Sequence, residues 1–462
     1  MDHVELFELH RKLAHDWIPV SVRKGMLKAL WNAILHHEQR LIDALAQDLA
    51  KPTAEVHLNE IYPMKSEIRQ ATRYISGWTA PMPTPTPLAM TGTKSFIQHE
   101  PKGQVLIISP WNFPVILTLR PLVSAIAAGN RCIVKPSEHT PHTSEVLASI
   151  VSEALPQEVA AVVQGGPDVS AALTRLPFQH ICFTGGTEIG KKVMASAAKN
   201  LASVTLELGG KSPVIVEGSA HVADASKRIA WGKCLNNGQA CIAPDYMLVH
   251  AAIQEDMLKA LSSRIDEMYR GNALESTERS VMVNEHHWRR VVGLIEDAIA
   301  QGARVVCGGT WDEKTRRIAP TILANCSLDM AIMKEEIFGP VLPVIAWTTR
   351  EELLALLAAH PHPLALYVFS KNTAFTDDIM ASTKAGTTGI NEVFLQVAQP
   401  ALPFGGIQSS GMGRTGGFYG FQQFSNIRSV VQQRTRWNIL PLTFPPFGKR
   451  GVQLARAVQR WL

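Results

Sequence analysis

Apolar residues at helical spacing mark the first 78 residues. Five of them recur at i, i+3, i+4, i+7 and i+8, which places one apolar stripe along a helix: Leu27, Leu30, Trp31, Ile34 and Leu35. A second helical pattern runs from Glu55 to Trp78. It ends at residues 80–87, where four prolines forbid a helix and predict an extended arm or linker.

The pattern changes at Gly103, where short apolar runs rich in β-branched residues begin to alternate with helical segments. Such runs are typical of strands buried on both faces of a parallel, doubly wound sheet. They lie at residues 104–109, 131–135, 159–164, 180–184, 203–208 and 212–217. Ligands of these sheets bind beyond the carboxyl ends of the strands, so we look for chemistry just after each run.

A second α/β unit is predicted from about Gly210 to residue 400. Its pattern indicates a helix near 285–301 and strands near 303–307 and 364–369. The last 30 residues are interrupted by prolines and then become helical.

The composition excludes several classes of protein. Of 462 residues, 46% are hydrophobic and 18% are charged, as in ordinary globular α/β proteins, and the chain is too long for one core. The net charge is +5 with both signs interspersed, so we predict no nucleic-acid partner. No apolar run reaches the roughly 20 residues of a membrane span, and MDHVELFELH lacks the apolar stretch of a secretory signal.

The six cysteines form neither a disulfide framework nor a CxxC pair, which predicts a reduced, cytoplasmic location. We also predict no metal site. The adjacent pairs His36–His37 and His286–His287 should point apart on a helix and lie at the surface. Four cysteines are expected to be buried structural residues: Cys132, Cys182, Cys307 and Cys326.

Glycines follow the run 180–184, where a strand leads into a helix. Gly185, Gly186 and Gly190 would let N–H groups at the start of that helix approach a pyrophosphate. The spacing is not GxGxxG, and a plain strand–turn–helix is the alternative.

Two residues have the chemistry of a nucleophile and a base. Cys241 lies in NNGQACIAPDY, a stretch of small and polar residues in which exposure and local dipoles could favour the thiolate. Glu207 ends a strand before two glycines, and an apolar setting there would raise its pKa toward that of a general base. The alternatives are a buried structural cysteine and a surface glutamate at a strand end.

Polar side chains also follow the first two strands. Asn112 lies between Pro110 and Pro114, which would hold its amide rigidly enough to stabilise an oxyanion. Lys135 and Glu138 come after the second strand, where they could bind the hydroxyls of a sugar. A rigid turn and a solvated loop are the respective alternatives.

Seven motifs in order resemble the aldehyde dehydrogenase superfamily: SPWNFP, KPSE, FTGGTEIG, ELGGKSP, NNGQACIAPDY, EEIFGPVLP and LPFGGIQSSGMGR. The resemblance covers roughly residues 20–435. The residues APDY, the segment PLALYVFS (363–370) and the tail PPFGK (445–449) are similar to the class 3, fatty-aldehyde and coniferyl-aldehyde branch.

The resemblance implies an α/β fold with a Rossmann-like, parallel-sheet cofactor domain, a second α/β catalytic domain and a small β oligomerisation arm. The expected divisions are 1–79 with 101–209, then 210–403, the arm 80–100 with 430–447, and a C-terminal helix at 448–462. A homodimer and a small-molecule aldehyde are the expected partners, with membrane contact at most peripheral through the C-terminal helix.

The resemblance also assigns roles. Cys241 would be the nucleophile, Glu207 the base that activates water, and Asn112 with the Cys241 N–H the oxyanion hole. Lys135 and Glu138 would bind the adenosine ribose of NAD or NADP, Gly185, Gly186 and Gly190 would line the pyrophosphate turn, and Glu336 and Phe338 would position the nicotinamide ribose and ring. Further cofactor-binding residues would be Pro110, Trp111, Ser137, Gly166, Thr187 and Leu208.

The implied function is NAD(P)+-dependent oxidation of a hydrophobic aldehyde to its acid. A CoA-acylating or semialdehyde dehydrogenase, or an idle binding protein on this fold, is the alternative. The chain departs from the family at Thr415-Gly416-Gly417, where many members have Tyr-His-Gly, which puts the shape of the substrate entrance in question. A helical face of Leu454, Val458, Trp461 and Leu462 predicts a C-terminal amphipathic helix that could cover an apolar substrate.

Overall fold

The computed structural model describes residues 2–14, 16–435 and 444–461. Its N-terminal part is helical, as the apolar stripes predict. The helix predicted from Glu55 to Trp78 is divided by a π turn at His57–Ile61. The helices are α1 (His3–Leu13), α2 (Val20–His36), α3 (Glu38–Leu49), α4 (Thr53–Val56) and α5 (Tyr62–Trp78).

The proline-rich segment opens a three-stranded antiparallel sheet, in the order β1, β2, β18. These strands are β1 (Met82–Thr84), β2 (Thr93–Pro101) and β18 (Ser425–Gln433). β18 pairs with β2 along its whole length, from Ser425 opposite Pro101 to Gln433 opposite Thr93. β18 begins at Ser425, five residues before the predicted C-terminal part of the arm (430–447), and residues 436–443 of that part lie outside the described part of the chain.

The first α/β unit contains a six-stranded sheet in the order β17, β7, β6, β3, β4, β5, parallel except for β17. Its strands are β3 (Gln104–Ile108), β4 (Arg131–Lys135), β5 (Ala160–Val162), β6 (His180–Thr184), β7 (Ser203–Glu207) and β17 (Gly411–Met412). The helices α6 (Pro114–Ala128), α7 (Pro141–Ala154), α8 (Pro167–Arg175) and α9 (Thr187–Ala198) connect them. Most strand residues are buried, because α2, α5, α6 and α7 cover one face and α1, α8 and α9 the other.

The second unit contains a seven-stranded sheet in the order β10, β13, β14, β9, β8, β15, β16, in which β10 is antiparallel to β13. Its strands are β8 (Pro213–Val216), β9 (Tyr246–His250), β10 (Arg304–Cys307), β13 (Thr321–Ala324), β14 (Val341–Trp347), β15 (Ala365–Phe369) and β16 (Thr387–Ile390); β11 (Trp311–Asp312) and β12 (Arg317–Ile318) form a hairpin. Its helices are α10 (Val222–Cys234), α11 (Gln254–Tyr269), α12 (Glu285–Ala300), α13 (Ala331–Lys334), α14 (Arg350–Ala358), α15 (Thr373–Ser382) and α16 (Leu395–Ala398).

Two helices complete the chain: α17 (Gly417–Gln423) packs against α5 and α6, and α18 (Gly448–Trp461) is the last element. The predicted α/β class and both parallel sheets are confirmed, whereas the domain boundaries stay a prediction. The C-terminal helix is present, but the side chains of Leu454, Val458, Trp461 and Leu462 lie outside the described residues. Within the described ranges, no helix is long and apolar enough to cross a membrane.

Candidate active site

Cys241 lies in the loop between α10 and β9, which we call the cysteine loop (residues 235–245). Asn236 and Asn237 turn this loop with left-handed φ angles of 47° and 58°. Asparagine tolerates that conformation better than most residues. Gln239 then fixes the loop, because its side chain donates to Val281 O at 3.0 Å and accepts from Val283 N at 3.1 Å. The loop that carries the thiol is thus held by side-chain hydrogen bonds.

Asn112 is buried beside the cysteine loop. Its Nδ2 donates to Gln239 O at 3.0 Å, and its main-chain O accepts from Lys51 Nζ at 3.0 Å and from Asn236 Nδ2 at 2.8 Å. The contacts extend beyond the residue's own backbone, so the simple rigid-turn interpretation does not describe this residue. An amide NH2 has two hydrogens, and one is left for a bound oxyanion.

A buried ion pair supports Asn112 from the helical part of the chain. Lys51 Nζ lies 2.6 Å from Glu60 Oε1, and both side chains are completely buried. The other oxygen of Glu60 accepts from Val115 N at 3.1 Å and Ile116 N at 3.0 Å, in the first turn of α6. Glu60 therefore satisfies N–H groups at the start of the helix that follows Asn112.

Glu207 ends β7 and is 6% exposed. Among the described residues, neither of its carboxylate oxygens has a hydrogen-bond partner. Burial raises the pKa of this carboxyl to about 8, although Arg414 and Arg120 oppose the shift. The surface-glutamate alternative is therefore wrong, and the predicted rise in pKa is confirmed.

The setting of Cys241 differs from the expectation. Its side chain is only partly exposed, and burial, followed by the charges of Glu336 and Glu207, raises the pKa of the thiol above its ordinary value. The expectation that the local environment favours the thiolate is thus wrong for the protein alone. Carboxylate charge nearby penalises the thiolate, so the thiol must release its proton as it attacks. Tyr367 Oη donates to Ile242 O at 2.7 Å and fixes the loop just beyond the sulfur.

Glu336 and Phe338 lie on a loop that three side chains hold. Lys211 pairs with Asp245 and donates to Glu335 O at 2.9 Å, and Asp245 accepts from Ile337 N at 2.9 Å. Arg290 donates to Glu336 O at 3.1 Å and to Ile337 O at 2.6 Å. Burial raises the pKa of the Glu336 carboxyl to about 8.

Trp111 lies between this loop and α12. Its ring centroid is 5.4 Å from that of Phe338 and 5.4 Å from that of His287. Burial lowers the pKa of His287 to about 4, so this histidine is neutral and is not the surface residue we predicted. Pro110, which precedes Trp111, is partly buried.

The candidate ribose residues lie together after β4. Lys135 Nζ donates to Glu138 Oε2 at 2.8 Å; the lysine is buried and the glutamate is about one-third exposed. Ser137 is buried and its Oγ accepts from His139 N at 3.2 Å. An ammonium and an accessible carboxylate at the carboxyl end of a parallel strand suit the hydroxyls of a ribose.

The glycine turn after β6 starts helix α9. Gly186 is the N-cap, and a Cβ there would meet no atom within 4 Å, so the helix start faces open space. At Gly190 a Cβ would lie 2.6 Å from the Leu208 side chain, which explains the close packing of the helix. Because an open helix N-terminus suits a phosphate, these residues fit the pyrophosphate of NAD(P).

Three further predicted cofactor residues make hydrogen bonds within the protein. Gly185 N donates to Glu207 O at 3.0 Å, Thr187 Oγ1 donates to Ser409 O at 3.1 Å and Leu208 N donates to Ser410 O at 3.1 Å. These hydrogen bonds connect the glycine turn after β6 to β7, which ends at Glu207, and connect both to residues 407–412. Gly166 is the N-cap of α8, after β5.

The Thr415-Gly416-Gly417 segment forms a tight turn that is tied to α5 and α6. Gly417 N donates to Glu67 Oε1 at 2.8 Å, and Arg120 Nε donates to Glu67 Oε2 at 3.0 Å. Gly417 has a φ of 51°, and a Cβ there would lie 2.6 Å from Pro400 O, so glycine is required. The departure from the family pattern is thus accommodated by packing around Glu67.

One further prediction is wrong. His36 and His37 do not point apart: Glu153 Oε2 lies 3.0 Å from His36 Nδ1 and 2.9 Å from His37 Nε2. The chain leaves the helix at His37, which is buried. Arg40 donates to His37 Nδ1 at 2.9 Å, so Nε2 carries a proton and donates to Glu153. These ligand-type atoms form a hydrogen-bonded group, and the absence of a metal site stays a prediction.

Sequence reasoning missed the residues that support the site, above all Lys51, Glu60, Asn236 and Gln239. A buried lysine and glutamate nine positions apart in helical segments carry no recognisable signal. For Asn236 a signal did exist, because an Asn-Asn-Gly sequence suggests left-handed turns.

Comparisons with known proteins agree with this geometry. A sequence model of the Aldehyde dehydrogenase family matches residues 11–430. The 4,4'-diaponeurosporen-aldehyde dehydrogenase of Staphylococcus aureus is 41% identical over 417 residues, 90% of this chain and 90% of that protein. The probable coniferyl aldehyde dehydrogenase of Caulobacter vibrioides is 40% identical over 444 residues, 93% of this chain and 91% of that protein.

A solved structure described as the substrate-bound state of Staphylococcus aureus AldH has a TM-score of 0.95 and 38% identity, covering 99% of this chain and 100% of that chain. The similarity therefore includes the cofactor sheet, the cysteine loop and the arm. Because the family model and these relatives span nearly the whole chain, the protein belongs to the aldehyde dehydrogenase family and is an NAD(P)-dependent aldehyde dehydrogenase.

Proposed function

We propose that the protein oxidises a hydrophobic aldehyde to its carboxylic acid through Cys241 and a water activated by Glu207. The Cys241 thiol releases its proton to a water molecule, its sulfur adds to the carbonyl carbon, and the oxyanion accepts hydrogen bonds from Asn112 Nδ2 and the Cys241 N–H. One such donor typically contributes about 3–4 kcal/mol to the transition state. Bound NAD(P)+ supplies the acceptor for the hydride that leaves this carbon.

Water then cleaves the thioester left on Cys241. Glu207 removes a proton from the water, the hydroxide adds to the carbonyl carbon, and the carbon–sulfur bond breaks to release the acid and the Cys241 thiolate. The overall change is aldehyde, NAD(P)+ and water to acid, NAD(P)H and one proton. The observation that carries this proposal is Glu207, a buried carboxyl with no hydrogen-bond partner among the described residues and a pKa of about 8.

A CoA-acylating or phosphorylating dehydrogenase is the rival function, because there a thiol or phosphate replaces the water and needs no such base. The two can be separated by measuring NADH formation from an aldehyde in buffer free of CoA and phosphate. We expect full turnover, with one ¹⁸O atom from labelled water in the acid. Turnover that required CoA or phosphate would refute hydrolysis.

For the cofactor we propose that Lys135 and Glu138 bind the adenosine ribose and that the turn Gly185–Gly190 binds the pyrophosphate. Glu336 would bind the nicotinamide ribose and Phe338 would position the ring. The open start of α9 and the Lys135–Glu138 pair support this arrangement. Pro110, Trp111, Ser137, Gly166 and Leu208 would complete the site.

We further propose a medium- to long-chain or coniferyl-type aldehyde as the substrate. Apolar side chains pack near Cys241: Phe394 belongs to the core cluster that Cys241 contacts, Trp231 packs edge-to-face on Phe394 at 5.6 Å, and Leu395 is 56% exposed. Each buried methylene contributes about 0.8 kcal/mol, or nearly fourfold in affinity. KM should therefore fall steeply from propanal to decanal, and removal of α18 before Gly448 should flatten that trend. A flat series in the intact enzyme would refute the hydrophobic site.

A homodimer is proposed from the arm. Among the described strands, β18 is the outer one of its sheet, and Ile427 and Val431 on it are 49% and 57% exposed. An apolar strand at the edge of a sheet is a liability that contact with a second copy removes. Light scattering should give a dimer at micromolar concentration, and a stable monomer would contradict the proposal.

A further inference from the structure

A cavity of about 200 Å³ lies between α4, α10 and α11, on the far side of Asn236 from Asn112. Its floor is formed by the buried residues Cys234, Leu235 and Tyr269. Trp231 and Met268 border its mouth and are 40% and 37% exposed. The remaining lining residues are Glu55 and Glu278.

Glu55 gives this cavity an unsatisfied acceptor. Its Oε1 accepts from Asn236 N at 3.4 Å, whereas Oε2 is buried and has no hydrogen-bond partner among the described residues. A buried carboxylate oxygen without a donor is costly, and a donor supplied by a ligand would remove that cost. Burial raises the pKa of Glu55, as expected for a carboxyl that lacks such a donor.

The charge of the lining favours a cation. Glu55 and Glu278 are acidic, and the lining includes no lysine or arginine from the described parts of the chain. Two buried cations act on Glu55, and both already have partners: Lys51 pairs with Glu60 at 2.6 Å, and Arg279 donates to Ala273 O at 2.7 Å and to Asn237 Oδ1 and Ile318 O. The Tyr269 ring faces the Arg279 guanidinium at 5.7 Å, and the Trp231 ring offers an apolar wall.

We propose that this cavity binds a small alkylammonium ion, with the ammonium at Glu55 Oε2 and the alkyl chain against Trp231, Leu235 and Met268. A volume of about 200 Å³ has room for about six heavy atoms, since a water molecule occupies about 30 Å³. Butylammonium, with five heavy atoms, matches this size. Because Glu55 binds Asn236, which in turn binds Asn112, occupancy of the cavity couples to the oxyanion hole.

Calorimetric titration of the full chain with butylammonium chloride, at constant ionic strength, tests the site. We expect saturable binding, with butan-1-ol, the neutral compound of the same size, binding at least about tenfold more weakly, because hydrogen bonds to charged groups are the stronger ones. Glu55→Gln, which keeps an acceptor for Asn236, should weaken butylammonium binding by about tenfold. The control Glu296→Gln removes an exposed acid on α12 and should leave the dissociation constant unchanged.

A second variant keeps the test decisive if Glu55→Gln is unstable. Trp231→Leu changes a partly exposed side chain and should weaken binding about threefold, because the smaller side chain buries less of the alkyl chain. Equal binding of butan-1-ol, no effect of either variant, or no saturable heat would overturn the proposal. None of these outcomes depends on the chemistry proposed for Cys241, since no aldehyde is present.

Two sources of the ammonium group are then separated by kinetics with hexanal as substrate. A free amine that acts as an effector should change kcat and should not compete with hexanal. The far end of an amino-aldehyde substrate would occupy the same path as hexanal, so butylammonium would then raise KM only. Both outcomes support the ammonium site and differ in what brings the ammonium there.

Discussion

The side-chain amide of Asn236 donates a hydrogen bond of 2.8 Å to the main-chain oxygen of Asn112. The same amide donates to Gln239 O at 3.2 Å, and Gln239 O also accepts from Asn112 Nδ2 at 3.0 Å. These three bonds join the candidate oxyanion donor of the first α/β unit to the cysteine loop of the second. The relative position of the nucleophile and the oxyanion donor therefore depends on one asparagine between them.

Asn236→Asp should lower kcat/KM by about a hundredfold. Aspartate fits the left-handed backbone, but it cannot donate to either oxygen and places a charge beside them, which costs several kcal/mol when buried. Steady-state kinetics measures the loss. The control is Asn372→Asp, which keeps a side-chain acceptor for Phe375 N at the start of α15 and should leave kcat/KM unchanged. An Asn236→Asp enzyme of normal activity would show that the bonds are dispensable.

The two candidate catalytic side chains should fail at different steps. Cys241→Ala should abolish NADH formation, including any pre-steady-state burst, because no thiohemiacetal forms. Glu207→Gln should keep the burst and slow turnover, because the base is needed only after hydride transfer. Stopped-flow absorbance of NADH distinguishes the two variants. The assignment of Cys241 fails if Cys241→Ala still produces NADH.

Hydrolysis of the thioester should accelerate with pH. Burial raises the pKa of Glu207 to about 8, so at pH 7 only about a tenth of the carboxyl is ionised and able to accept a proton. The rate of acid release after the burst should rise through about pH 8 and then level off. Glu207→Gln should lose this rise. Glu336→Gln should keep it, although burial raises the pKa of Glu336 to about 8 as well. If Glu336→Gln alone removed the rise, the base would be Glu336.

Both NAD+ and NADP+ should be used, with less than a thousandfold difference in kcat/KM. Glu138 can accept from the ribose hydroxyls of NAD+ and repels a 2′-phosphate, while Lys135 at 2.8 Å offsets part of its charge. Glu138→Gln should shift the ratio toward NADP+ by about tenfold, since hydrogen bonds to charged groups contribute about 1.5–3 kcal/mol. Dissociation constants of both cofactors, compared with those of the exposed control Glu145→Gln, measure the shift. A ratio that moved toward NAD+ would contradict the role of Glu138.

The five parallel strands of the first α/β unit could be predicted from their apolar runs. The runs 131–135 and 180–184 match β4 and β6, whereas the run 159–164 forms only the three residues of β5. The strands β9, β13, β14, β16 and β17 were missed because their short runs are separated by less regular segments. Residue propensities also gave no sign of the π turn at His57–Ile61, in which Glu60 is buried.

Within the site, residue type and position put Glu207 at a strand end but left a surface glutamate as the alternative, and only the resemblance to a known family favoured the base. The state of the Cys241 thiol could not be predicted, because its pKa depends first on burial and then on Glu336, which lies 95 positions away in the sequence. His36 and His37 were misjudged for a related reason. Their orientation follows from a helix break and from Glu153 on α7, which adjacency in the sequence does not reveal.

The buried ion pair Lys51–Glu60 bears on which parts of the chain an active enzyme needs. A fragment beginning at residue 80 would retain every strand of both parallel sheets, together with Cys241, Glu207 and Asn112. It would nevertheless leave Asn112 O without the ammonium of Lys51, and Val115 N and Ile116 N without the Glu60 carboxylate. The N-terminal helices contain no reacting group, but catalysis depends on them because they hold Asn112 and the start of α6 in place. They therefore cannot be exchanged as an independent module.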